Sequence, residues 1–344
     1  MTLTTLAILG FAFSLDLLIG EPRSSLHPVA WFGRLVGVLD REWSPNPRTQ
    51  RRVGILIAFL VPMVPAAAAW AVVTVALGYQ SLVGAVAAAL VLFSTTSLRL
   101  LLDLTQAVIE ETDDGGDLEV ARERVRGLVG RETDSLTGQG LRSAAIESAA
   151  ENLSDGFAAT LLPFALLAPV SLPAAAAVAA WIKGVNTLDS MLGYPSKPIG
   201  TASARLDDFV MYLPARVTAV CLALASFRPR TLARARECAR VPASPNAGWP
   251  MAVLAYGLGV RLEKPDAYVL NAGGTLPTVQ DGNRAVSMVG LAAAILVAVA
   301  AALAVYAPAL EATLVPIADG LRETSVLLLE RFVSGVRTRL EVVG

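Results

Sequence analysis

Histidine occurs once, at His27, and cysteine only twice, at Cys221 and Cys238. One histidine excludes a multi-histidine metal centre. The cysteine spacing fits neither a zinc motif nor a redox pair, so two free thiols in a reducing compartment are expected. Charge is also scarce: 17% of the 344 residues are charged, against 54% hydrophobic. Soluble domains carry roughly a quarter charged residues. The net charge of −1 gives no field that would attract nucleic acid. Three catalytic signatures are missing as well: the phosphate loop, the dinucleotide glycine fingerprint and the Gly-x-Ser-x-Gly elbow. Any nucleotide must therefore be held by some other arrangement.

What is present is long apolar sequence, with a mean hydropathy of +0.57. A membrane-crossing helix needs about 20 mostly apolar residues. Leu3–Ile19, Gly54–Leu77, Leu82–Leu104 and Val286–Tyr306 meet that description, and Phe157–Trp181 and Phe209–Phe227 meet it more weakly. The first run lacks a basic leader and a small-residue cleavage pattern, so it is expected to be a retained membrane helix. A Gly-Tyr-Gln turn predicts a helical hairpin between the second and third runs. The expected fold is all-α: a single polytopic membrane domain over 1–344 with four to six membrane segments. Basic residues gather between the runs, as in cytoplasmic loops. Stretches 105–156 and 228–285 are expected as cytoplasmic loop insertions with helices of their own. Within the first, Asp117 should cap a charged helix over Leu118–Leu128. Residues 307–344 are expected as an amphipathic tail with a surface helix over 318–341.

Six complete crossings would put 182–208 on the face opposite the other polar stretches, although it is rich in chemically useful side chains. Phe157–Trp181 contains Pro163, Pro169 and Pro173, and Phe209–Phe227 contains Pro214 and Arg216. These runs are therefore expected to be broken or re-entrant, returning 182–208 to the others.

Four segments could carry chemistry. In a helix, Glu147 and Glu151 share a face at i, i+4, and Asp155 continues it. Like charges at that spacing repel, and a bound cation removes the cost. Magnesium prefers carboxylates completed by substrate phosphates. A solvated acidic face is the alternative. The second segment gathers Lys183, Asn186 and Asp189, followed by Arg205, Asp207-Asp208 and Arg216. Arginine forks bind phosphate; an interfacial loop with internal ion pairs is an equal alternative. The third, Ser244–Pro250, reads as a turn with an Asx cap containing Asn246. The fourth, Asp16–Pro28, holds His27, and a lone histidine is more often structural than a ligand.

These stretches resemble the CobD/CbiB family, the adenosylcobinamide-phosphate synthases of cobalamin biosynthesis. The similarity rests on Leu15–Pro28 (LDLLIGEPRSSLHP), Glu147–Gly156 (ESAAENLSDG), Asn186–Tyr194 (NTLDSMLGY), Ala204–Arg216 (ARLDDFVMYLPAR) and Ser244–Ala252 (SPNAGWPMA), in family order. The segment through Val129–Thr133 is also similar. One departure is Gly20-Glu21-Pro22, where the family often has Gly-Asp-Pro.

The resemblance implies a cell-membrane ligase. It would use ATP to join (R)-1-amino-2-propanol or its O-phosphate to adenosylcobyric acid, with the corrinoid as substrate. On this reading, Glu147, Glu151 and Asp155 hold magnesium. Asp189, Asp207 and Asn186 serve catalysis as ligand, base or orienting groups. Lys183, Arg205, Arg216, His27 and Asn246 bind substrate or phosphate. Membrane lipids surround the protein, and other cobamide-assembly membrane proteins are expected neighbours because proximity would retain scarce intermediates. The alternative is a membrane-embedded magnesium-dependent transferase acting on a lipid or prenyl diphosphate, suggested by Asn186-x-x-Asp189 and Asp207-Asp208. A transporter would show inverted repeats, and none is evident in the sequence. The density of polar loop residues argues against a non-catalytic sensor.

Overall fold

The structure, a computed structural model, describes residues 2–22, 25–128 and 133–309. The segment at 129–132 and the tail helix expected over 318–341 lie outside the described residues.

Helix α1 spans Thr2–Ile19, α2 Pro28–Leu39, α3 Pro47–Leu60, α4 Met63–Tyr79, α5 Ser81–Thr95 and α6 Leu98–Glu111. Among the described residues, four helical stretches are long and apolar enough to cross a membrane: Thr2–Ile19, Pro47–Tyr79, Ser81–Glu111 and Val279–Ala309, the last designated α15. They cover the four strong apolar runs. Many large apolar side chains on them face outward, among them Leu3, Phe59, Leu60 and Leu82. Outward aliphatic surface is favourable in lipid and unfavourable in water.

The first polar motif fastens two of these stretches reciprocally. Gly20 closes α1 with a left-handed φ of +73°, which glycine adopts without the Cβ penalty. The Oδ2 of buried Asp16 accepts the backbone N–H of Arg99, at 3.0 Å, in the first turn of α6. In return, Arg99 Nη1 donates to the carbonyls of Leu17 and Leu18 at 3.1 and 3.0 Å. An acceptor meets open helix N–H groups and a cation meets open carbonyls, so both helix ends are satisfied.

Helix α7 spans Leu118–Arg126 and starts as expected: Asp117 Oδ1 accepts the Glu119 N–H at 2.8 Å. Beyond it, the stretch to 156 is more deeply placed than a loop insertion suggests. Helix α8, Gly138–Asn152, is buried along Leu141–Ala150. Its Ser and Ala side chains allow close approach of neighbouring helices. A π-helical turn, Leu153–Ala158, links it to α9, Ala159–Leu167.

Phe157–Trp181 does not form one crossing. The chain leaves α9 through a turn at 168–171, where Ser171 Oγ accepts the Ala174 N–H at 3.3 Å and caps α10, Leu172–Leu192. Helices α9 and α10 pack on each other, so this run is a helical hairpin. Helices α4 and α5, joined at Gln80, form another hairpin and also pack on α10. The second weak run is bent: α11, Thr201–Val210, meets α12, Tyr212–Ala225, at 48°. Helices α13, Thr231–Ala235, and α14, Gly248–Leu258, follow. A short hairpin pairs β1, Leu262–Lys264, with β2, Tyr268–Leu270.

Together these breaks return 182–208 to the later polar stretch. Ser244 Oγ donates to Asp208 Oδ1 at 3.3 Å, so the two stretches meet directly. Single cysteines at Ser196 and Ser244, in a variant lacking the buried Cys221 and Cys238, should therefore react with an impermeant maleimide from the same side of a sealed vesicle. Labelling from opposite sides would contradict this arrangement.

Close helix packing makes a second prediction. A Cβ on Gly54 of α3 would collide with the Ile199 carbonyl, whereas one on Gly78 of α4 would meet nothing within 4 Å. Gly54→Ala should lower stability in detergent by about 1–3 kcal/mol. Gly78→Ala should leave the melting midpoint unchanged or raise it slightly.

Candidate functional site

Three elements converge around one polar cluster. The π-turn after α8 carries Asp155, α10 carries Lys183, Asn186 and Asp189, and α11 carries Asp207 and Asp208. Spacings of three residues place the α10 trio along one side of that helix. A π-turn inserts an extra residue into a helical turn and re-aims the side chains after it, a feature frequent at functional sites.

Asp155 lies within electrostatic reach of Glu151, Asp189 and Lys183. Asp207 faces Asp155, Asp189 and Asp208, and the Asn186 carboxamide lies beside it. Lys183 is near both Glu21 and Asp155. Among the described residues, the Oδ1 atoms of Asp155 and Asp207 are each buried without a hydrogen-bond partner. Buried carboxylate oxygens rarely lack a partner, because desolvation is costly. Two of them in mutual range, beside a third aspartate, form a locus for a cation or for donors on a ligand. Gly193 leaves room for Asp189: a Cβ there would collide with Asp189 Oδ1.

Of the predicted metal trio, Glu151 and Asp155 remain neighbours, while Glu147 is held by other partners. Glu147, 3% exposed, accepts from Ser143 Oγ at 2.8 Å and from Tyr268 of β2 at 2.7 Å. It thus ties α8 to the β-hairpin. Beyond the π-turn, Asp155 stays within reach of Glu151 and also faces Asp189 and Asp207. Among the described residues, no group of three or more His, Cys, Asp or Glu side chains is gathered closely enough to hold a metal ion. Magnesium usually takes only one or two protein carboxylates and completes its shell with phosphate and water. The two unpartnered oxygens of Asp155 and Asp207 fit that limited demand.

Arg216 and Asn246 are brought together as a clamp. Arg216 Nη1 donates to Asn246 Oδ1 and Nη2 to the Pro245 carbonyl at 3.2 Å. Its guanidinium also stacks 3.9 Å from the Tyr212 ring centroid. Asn246 Nδ2 donates to the Asp208 carbonyl at 2.7 Å. Asn246, 1% exposed, thus fixes the α11–α12 bend rather than capping its own turn. Ser244 does the local capping: its Oγ accepts the N–H groups of Asn246 and Ala247 at 3.2 and 3.4 Å. Sequence spacing gave no signal for Asp208 as the partner of this turn. Arg205 is exposed on α11.

His27 sits at the edge of the cluster, in electrostatic range of Lys183 and Glu21. Its Nδ1 accepts the Val29 N–H at 3.2 Å and caps α2, while Nε2 is 3.9 Å from Glu21 Oε2. The structural role expected of a lone histidine is therefore present.

A family model described as CobD/Cbib protein matches residues 9–299. The chain belongs to the CobD/CbiB family. It is 34% identical over 301 residues to the probable cobalamin biosynthesis protein CobD of Methanothrix thermoacetophila, covering 83% of this chain and 92% of that protein. Cobalamin biosynthesis protein CobD of Rhodobacter capsulatus is 38% identical over 272 residues, covering 76% and 83%. The Klebsiella pneumoniae protein of the same name is 35% identical over 268 residues, covering 75% and 82%. No solved structure matches the chain. Membership in the family places the carboxylate cluster in a protein of cobalamin biosynthesis.

Burial lowers the His27 pKa from its ordinary 6.5, with Glu21 opposing and Lys183 reinforcing the shift. The unfolded chain therefore binds this proton more readily than the folded protein. The His27 contribution is complete above that free value and declines as pH falls through it. His27→Asn, which keeps a capping acceptor, should lose this part of the acid sensitivity of the melting midpoint. His27→Ala should also forfeit about 1 kcal/mol of cap.

Proposed function

We propose that the protein is an ATP-dependent ligase of the cell membrane that joins (R)-1-amino-2-propanol, or its O-phosphate, to a propionate carboxylate of adenosylcobyric acid. The observation that carries this reading is the pair of unpartnered buried carboxylate oxygens, on Asp155 and Asp207, in a member of a cobalamin-biosynthesis family. The corrinoid is a substrate, not a resident cofactor.

A carboxylate does not condense with an amine unaided in water. Transfer of the ATP γ-phosphoryl group to a propionate oxygen gives an acyl phosphate and ADP. The amine nitrogen then attacks the acyl carbon. A C–N bond forms, the C–O bond to phosphate breaks, and phosphate leaves. The nitrogen must lose a proton, and Asp189, beside Asp155 and Asp207, is the proposed acceptor. Asp155 and Asp207 would hold magnesium, which supplies charge neutralisation at the phosphates when bound. Lys183 adds a positive charge on the same side of α10. Asn186, beside Asp207, is the proposed group that orients its carboxylate. Arg216, Asn246 and Ser244 keep the α11–α12 bend in the shape that presents Asp207 and Asp208. The outward aliphatic surface of the long helices supports the membrane location.

Purified protein given adenosylcobyric acid, magnesium-ATP and either amine should form adenosylcobinamide or its phosphate, detected by mass spectrometry, and only when ATP is present. Asp155→Asn and Asp207→Asn should each lower turnover by on the order of 100-fold or more. Glu147→Gln should act mainly on the melting midpoint. Wild-type turnover in both aspartate variants would exclude the cluster as the site of chemistry.

A further inference from the structure

A cavity with two arginines in its wall lies away from the aspartate cluster. It occupies about 450 Å³ between the C-terminal end of α12 and the N-terminal part of α15, with Ser226, Arg228, Asn283, Arg284 and Ser287 among its walls. Two guanidinium groups thus border one cavity. Arg284 makes a single 3.4 Å contact with Asp281 Oδ1 and keeps half of its side chain exposed. Arg228 is exposed and makes no side-chain hydrogen bond or ion pair among the described residues.

The surroundings extend the same charge. From 228 to 240, Arg228, Arg230, Arg234, Arg236 and Arg240 are all exposed, and Glu237 is the single carboxylate. Glu237 accepts a hydrogen bond from Tyr256 at 3.3 Å. The positive field is therefore largely uncompensated.

Apolar surface adjoins it. Leu291 of α15, at the cavity wall, is 40% exposed, and Leu224 of α12 is 50% exposed. Between them Phe227, with a φ of 54°, is turned outward and 84% exposed. A left-handed conformation is a genuine outlier for a bulky aromatic residue. Here it sets a ring at the point where an apolar helix stops and arginines begin, as at a membrane interface.

We infer that this cavity binds the phosphate-bearing headgroup of an anionic phospholipid, with the acyl chains lying along the exposed aliphatic surface of α12 and α15. Charge selects the headgroup and the adjoining aliphatic surface selects a lipid over a soluble phosphate ester. Arginine forks suit phosphate oxygens, and basic clusters beside a membrane helix favour anionic lipid. The site would set the depth and tilt of the α12 end relative to α15.

Delipidated full-length protein in detergent would be titrated with phosphatidylglycerol or phosphatidylcholine and bound lipid counted by native mass spectrometry. Wild type should hold phosphatidylglycerol about tenfold more tightly than phosphatidylcholine. Arg228→Gln with Arg284→Gln should remove most of that preference, and Arg228→Gln alone should remove part of it. Arg51→Gln with Arg52→Gln, an equal loss of exposed charge elsewhere, should preserve it. Unchanged preference in both Arg228 variants would overturn the site, as would equal loss in the Arg51/Arg52 control. Displacement of the lipid by an equal concentration of glycerol 3-phosphate would show a soluble ligand instead and overturn the lipid assignment.

Discussion

The constraint on which the site depends is a set of carboxyl groups held inside a helical protein without a full set of donors among the described residues. When ionised, Asp155, Asp189 and Asp207 repel one another in a medium that screens poorly. Lys183 and the Asn186 amide offset only part of that repulsion. Such a cluster persists only when the surrounding packing prevents the side chains from escaping to water. Helices α8 to α12 provide that restraint. The small residues of α8 and α10 let neighbouring backbones approach, and the α9–α10 hairpin closes the interior. The cost is consistent with a site that completes its bonding when a charged ligand arrives.

The clamp on the other side of the cluster follows the same logic. A 48° bend between α11 and α12 interrupts the helical hydrogen-bond ladder next to two aspartates. Arg216, Asn246 and Ser244 reach that bend from α12 and the 244–247 turn, and each bond crosses a long sequence separation. Their hydrogen bonds hold the bend in one shape. Arg216 and Asn246, which look like ligands in the sequence, thus hold the bend beside the cluster.

Much of this was legible in the residues themselves. The four strong apolar runs became long helices because length and hydropathy depend only on local composition. Asp117 capped its helix because a cap needs a side chain and an N–H two residues away. Prolines flagged the two weak runs as interrupted. The grouping of carboxylates was less legible. Helical periodicity joined Glu147 to Glu151 and Asp155, and Asp155 does lie near Glu151, yet Asp189 and Asp207 from other helices also face it and Tyr268, 121 residues away in the chain, engages Glu147. Asn246 looked like the cap of its own turn, but Ser244 filled that place and released the amide for Asp208 and Arg216.

The sequence by itself determined the helical class, the apolar segments, the local caps and, through its ordered motifs, the resemblance to a cobalamin-biosynthesis family. These depend on composition and on contacts within a few residues. Tertiary structure alone decided which acids face one another, that the α9–α10 run folds back, and that Arg228 and Arg284 border one cavity. Those outcomes depend on how helices distant in sequence are rotated and offset.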